Sequence, residues 1–130
     1  MRIEPAEPYS TDYNTVSDVA QAERADDVRR AMTDASTVAN IADYDTIYLG
    51  YPIWWYRAPQ IIKTWLDAHD LTGKTIAAFC TSGGSTIAQT LDDISALEPG
   101  ATLTEGLTVT EGNLDACDER AAEWLAAIGA

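Results

Sequence analysis

A chain of 130 residues, 46% hydrophobic, is long enough to build one core and one domain. Its 21 acidic side chains against 8 basic ones leave a net charge of −13. That balance excludes nucleic acid as a ligand, because such binding depends on Lys and Arg neutralising phosphates, and it argues against an anionic membrane surface.

The same charge suits a basic protein partner, since a field of one sign steers association. The two cysteines, Cys80 and Cys117, show neither CxxC nor metal-ligand spacing. No apolar stretch reaches the roughly 18 residues that span a bilayer, and the first residues carry no basic-then-apolar leader. The chain therefore reads as cytoplasmic, with reduced thiols.

In chain order, residues 1–4 read as the tail of a strand closed by Pro5 and Pro8. Asp12, or Ser10-Thr11, caps an expected helix to about Ala25, with Val16, Val19 and Ala20 on one face. A second helical piece is expected from Ala25 to about Met32, and a turn at Val38 and Ile41 tucks under the sheet. Residues 46–50 form the first clear strand, an apolar run broken at Gly50 and Pro52. It delivers Trp54 and Trp55 into a loop. Residues 58–69 read as a helix with Pro59 in its first turn and Ile61, Ile62, Trp65 and Leu66 as its buried stripe.

Residues 75–80 form a second apolar strand that must be buried on both faces, as parallel strands are. It opens into Thr81, Ser82, Gly83, Gly84 and Ser85. A helix follows over 86–97. Residues 102–110 contain a third strand with a bulge or close approach at Gly106. Residues 114–128 form the last helix, with Leu114, Cys117, Ala121, Trp124, Leu125 and Ile128 as its stripe. Alternating strands and helices point to an α/β fold with a parallel sheet covered on both faces.

Ligands of such sheets sit beyond the carboxyl ends of the strands. Two loops share that edge. One carries Tyr51 to Arg57, including Pro52, Ile53 and the two tryptophans; the other is 81–85. The aromatics offer a wall for a planar ligand, or else one of them plugs the core beneath the loop. The glycines let backbone amides approach a ring edge or an anion, although a tight turn also explains them.

Protein acids, bases and nucleophiles are scarce. His69, the only histidine, sits at a helix carboxyl end, where a cation is favoured. Cys80 reads as buried and Cys117 as core, and the pairs Asp26-Asp27 and Asp92-Asp93 as solvated faces. No catalytic residue and no metal site is expected, which suits a protein whose cofactor performs the chemistry.

Several segments together resemble the bacterial flavodoxin-like proteins. They are the run from Asp43 through Tyr48-Leu49-Gly50-Tyr51-Pro52-Ile53-Trp54-Trp55, then Ala58-Pro59, Asp70-Leu71-Thr72-Gly73-Lys74, and Phe79-Cys80-Thr81-Ser82-Gly83-Gly84-Ser85. The front segment from Pro8 to Glu23 and the tail Pro99-Gly100 are similar too. The resemblance implies a three-layer α/β/α fold, bound FMN, and electron-transfer or flavin-dependent reductase chemistry. Tyr51, Pro52, Ile53, Trp54 and Trp55 would flank the isoalloxazine, and Thr81, Ser82, Gly83, Gly84 and Ser85 would contact its polar edge.

The sequence departs from that family at its start. The family's first, central strand and the Ser/Thr-rich loop that holds the FMN phosphate have no counterpart before residues 1–5. The sheet is therefore expected to be incomplete, with an open edge along 46–50. Three readings follow: a truncated product, a rearrangement that pairs 1–4 or another chain against 46–50, or a short form that binds something other than FMN. A non-catalytic interaction module that self-associates through this edge is the alternative to a flavoprotein.

Overall fold

Two apolar runs form the middle of the sheet in the computed structural model, which describes residues 1–130. Strand β1 (Thr46–Pro52) and strand β2 (Thr75–Ser82) pair in parallel, Thr46 opposite Thr75 and Pro52 opposite Thr81. On the far side of β2 the third strand is split. Its first part, β3 (Thr102–Leu103), pairs with Thr75 and Ile76, and its second, β4 (Leu107–Thr110), with residues 79–82. The break is the expected irregularity at Gly106, where a Cβ would lie 2.7 Å from Ile87 Cγ2, so only glycine lets the strand pass.

The sheet is the middle of three layers. Helices α2 (Gln60–Asp67) and α3 (Ala88–Leu97) bury Leu66 and Ile94 against Leu49, Tyr51, Ile76 and Ala78 on one face. Helix α1 (Tyr13–Ala25) packs beside α2. The other face carries α4 (Cys117–Ala127) alone, whose Trp124 packs on Ala77 and Leu107. Ile76, Ala77 and Ala78 are all completely buried, so β2 is covered on both sides, as its unbroken apolar sequence requires.

Four local expectations need correction. Helix α1 begins where expected, with the Asp12 carboxylate accepting from the Thr15 amide at 2.9 Å and hydroxyl at 2.7 Å. It does not continue over 25–32, because Asp27 takes a left-handed backbone (φ 48°) and its carboxylate bonds Lys63 and Gln60 of α2. Helix α2 is shorter than expected, and Pro59 is its N-cap residue instead of lying in its first turn.

The last helix starts late. Thr110 and Asn113 cap each other around a 3₁₀ stretch, Glu111–Ala116, before α4 begins. Its stripe is also narrower than the sequence suggests: Leu114 is 58% exposed, Leu125 is 36% exposed and Cys117 is only half-buried. With no second helix on this face, one flank of α4 has nothing to pack against.

Residues 1–4 are neither strand nor partner of β1. Pro5 makes a single antiparallel bridge to Met32, and the Glu4 amide donates to Ser36 Oγ at 2.8 Å. β1 therefore has one partner, β2, and its other edge faces a groove of about 760 Å³ bounded on the far side by Met1, Ile3 and Pro5.

Candidate functional site

The end of β1 is shaped by a strained hairpin. The Ile53 amide donates to the Thr81 carbonyl at 2.9 Å, which carries the pairing with β2 one residue past the strand. Trp54 and Arg57 then exchange backbone hydrogen bonds of 2.8 and 3.1 Å around Trp55 (φ 49°) and Tyr56 (φ 66°). Two central residues with positive φ define a type I′ turn, which normally uses Asn-Gly. Forcing two large aromatics into it costs roughly 1–2 kcal/mol each.

Surrounding contacts hold that strain in place. The Trp55 indole Nε1 donates to the Ser17 carbonyl of α1 at 2.8 Å. Trp54 meets the Tyr9 ring edge-on, 5.3 Å between centroids. Tyr9 is itself fixed by Arg30, stacked 3.5 Å over its ring, and by its hydroxyl donating to Glu23 at 2.7 Å. Burial and the Glu23 carboxylate push the Tyr9 phenol well above its usual range. Arg57 anchors the hairpin's far strand through Gln89 at 2.7 Å and Asp93 at 3.3 Å of α3.

The second loop is open. Ser82 Oγ accepts the Gly84 amide at 3.1 Å, and a Cβ on Gly83 or Gly84 would meet no atom within 4 Å. Helix α3 begins later than expected, and the Ile87 amide donates to Thr108 Oγ1 at 3.0 Å, so that amide is not available to a ligand in the loop.

Hairpin, loop and α1 enclose a cavity of about 610 Å³. Of the ten residues expected at the site, Ile53, Trp54, Trp55, Ser82, Gly83, Gly84 and Ser85 line it. Tyr51 does not: its ring is buried, and its hydroxyl lies 2.8 Å from Thr90 Oγ1. Thr90 already donates to the Ile87 carbonyl, so Tyr51 is the donor of this pair. Burial pushes the Tyr51 phenol up to about 12. Pro52 and Thr81 face a shallower cleft beside Val109 and Glu111.

The sequence reading missed one wall, formed by Tyr13, Val16, Ser17 and Ala20 of α1, together with Tyr56 of the hairpin. Val16 and Ala20 were legible as an apolar face, but its neighbour is the cavity as well as the core.

No ionisable acid, base or thiol nucleophile lines the cavity apart from the two tyrosines. His69 is buried elsewhere: its Nε2 accepts the Val38 amide at 2.9 Å, so the proton sits on Nδ1, 2.6 Å from the Trp65 carbonyl. It caps a carbonyl of the last turn of α2, as the sequence suggests, and ties that helix end to Val38. Cys80 is buried, and that burial raises its thiol pKa. No three His, Cys, Asp or Glu side chains gather into a metal-binding cluster, and no helix is long and apolar enough to cross a membrane.

The comparisons agree with this architecture. The family model described as flavodoxin matches residues 1–128. Two Bacteroides proteins assigned as flavoproteins are each 34% identical to this chain. The one from Bacteroides eggerthii superposes with a TM-score of 0.78 over 98% of this chain and 79% of its own. The one from Bacteroides uniformis superposes with 0.74 over 84% and 71%. A Lactobacillus acidophilus flavoprotein in complex with FMN, 22% identical, shares the fold with a TM-score of 0.68 over 87% of this chain and 75% of its own. No curated protein matches the sequence. A parallel sheet between helical layers, matched by the family model along nearly its whole length, identifies the chain as a member of the flavodoxin family.

Proposed function

We propose that this chain binds a flavin, FMN by its likeness to the family, and serves as an electron carrier or flavin-dependent reductase. One observation carries the reading: a strained aromatic hairpin and an open glycine loop face each other across a cavity without acids or bases. Strain of this kind persists where a binding site uses it.

The lining suits the ring part of the cofactor. Trp54, Trp55 and Tyr56 offer flat apolar surface, and the open backbone at Gly83 and Gly84, where a Cβ would meet no atom, lets a ring edge approach the loop closely. The cavity offers no Lys or Arg to the phosphate part. A bound flavin supplies one- and two-electron chemistry that no side chain here can perform. The chain's own task is to stack the ring, hold its polar edge and keep water from one face. The net charge of −13 favours a basic redox partner.

Titration with FMN, followed by visible absorbance and by quenching of tryptophan fluorescence, tests the reading. Saturable binding at micromolar FMN supports it, and unchanged spectra would sink it. The open edge of β1 favours a second reading, a non-catalytic interaction module, which predicts association without flavin.

A further inference from the structure

Behind the cavity wall, one cluster joins two oxidisable rings to a base. Trp54 lines the cavity, and Tyr9 stands behind it, outside that lining. Their rings meet edge-on, 5.3 Å between centroids. The Tyr9 hydroxyl donates to Glu23 Oε2 at 2.7 Å, and the Arg30 guanidinium lies 3.5 Å over the Tyr9 ring. Arg30 and Glu23 are themselves an ion pair, with side chains only 16% and 13% exposed. Tyr9 is the one tyrosine whose hydroxyl is bonded to a carboxylate; the buried Tyr51 bonds a threonine. Trp54 is set apart too. Trp55, Trp65 and Trp124 each donate the indole N–H to a backbone carbonyl, and Trp54 donates to none.

The ring contact alone would anchor the hairpin. The bond from phenol to carboxylate adds something else, a proton acceptor already in place. Loss of an electron turns a phenol into a strong acid, so tyrosine is oxidised readily when a base at hydrogen-bond distance takes its proton. Glu23 is at that distance, and it accepts a proton of such acidity even while paired with Arg30. A cation over the ring face opposes positive charge on the ring, so the electron and the proton of Tyr9 leave together. Trp54 has no base on its indole. An electron deficit created there therefore moves to Tyr9, whose neutral radical is the lower in energy near neutral pH.

We propose that Trp54, Tyr9 and Glu23 form a relay that carries oxidising equivalents away from the cavity. Trp54 loses one electron to an oxidant in the cavity. It regains that electron from Tyr9, the Tyr9 O–H bond breaks, and an O–H bond forms on Glu23. The products are the oxidant reduced by one electron, a neutral tyrosyl radical and a protonated Glu23, so atoms and charge balance. The oxidant is of the class of photoexcited aromatic heterocycles. Its identity as a flavin rests on the proposed function; the relay itself does not. The effect is protective, because the cavity wall returns to its reduced state and the radical waits behind it until reverse transfer quenches it.

Pulse radiolysis with azide radicals, which oxidise tryptophan in preference to tyrosine, tests the relay on the full chain with no flavin present. A failed flavin titration would not change this result, so the two readings fail separately. Trp65 and Trp124 are buried, which leaves Trp54 and Trp55 as the accessible targets. The tryptophan radical band is expected to decay into the tyrosyl band at a rate independent of protein concentration, and more slowly in heavy water. Tyr9→Phe should slow that conversion at least tenfold. Glu23→Gln still accepts the hydrogen bond but cannot take the proton as a carboxylate does, and should slow it to a similar extent. Should a variant not fold, the heavy-water comparison on the wild type decides alone. Absence of conversion in the wild type would overturn the proposal. So would an unchanged rate in either folded variant, or the same rate in light and heavy water.

Discussion

Trp55 and Tyr56 are the residues at which local preference and tertiary demand conflict most openly. Both sit at positive φ in a turn built for Asn-Gly. Tyr56 is 63% exposed, so Tyr56→Gly should stabilise the fold by about 1 kcal/mol, read as a rise in the urea midpoint. Trp55→Gly relieves the same strain but deletes the stacking surface and the bond to Ser17, so it should lower flavin affinity at least tenfold while the protein stays folded.

Tyr51 behaves differently, because its hydroxyl serves the core. Tyr51→Phe should cost about 1 kcal/mol and leave flavin affinity unchanged, since Thr90 keeps its bond to the Ile87 carbonyl.

Asp27 shows the sign of the acid response. Hydrogen bonds from Lys63, Gln60 and Arg29 hold its carboxyl well below the usual carboxylate range. Its contribution is therefore fully present above its unfolded pKa of about 4, and is lost as pH falls through the lower folded value. The stability advantage of the wild type over Asp27→Asn, measured by urea melts, should be present near pH 6 and shrink below about pH 4.

At the scale of elements, the strands were legible because they are unbroken apolar runs closed by glycine, proline or hydroxyl residues. The register that sets Gly50 beside Phe79 was not, since it depends on which strands meet. The ends of helices were the least legible. The segment 25–32 has helical composition, but Asp27 takes a left-handed backbone there and bonds Lys63 and Gln60 of α2 instead of continuing the helix. Leu114 and Leu125 follow helical spacing, yet α4 has a neighbour on one flank only, so spacing alone overstated its buried stripe.

Seven of the ten expected site residues meet in one cavity, because loops after adjacent parallel strands must share an edge. The α1 wall escaped the sequence reading, since an apolar helical face looks the same whether it covers a core or a cavity. Leu66→Ala in α2 should destabilise by about 3 kcal/mol, as a fully buried leucine in a tight core does, measured by chemical denaturation.

Across the whole molecule, the sheet carries helices on both faces, one of them half-covered, and its outer edges, along β1 and along the split strand β3–β4, are unpaired. The cavity of the hairpin and the 82–85 loop lies at the ends of β1 and β2, whereas the open edge runs along the length of β1. The two features can therefore act separately. Under the proposed function the aromatic walls would take the ring of a flavin, whereas no Lys or Arg lines the cavity to meet its phosphate. FMN and riboflavin should bind alike, within about threefold, or less than about 0.7 kcal/mol. Their affinities should also respond weakly to salt, since no ion pair forms.

The most direct measurement is a parallel titration of wild type and Trp55→Gly with FMN and with riboflavin, read by tryptophan quenching and the visible flavin band. The account predicts micromolar binding of both flavins to the wild type, similar in strength, and at least tenfold weaker binding to the variant. Absence of binding to the wild type, or equal binding to the variant, would contradict it.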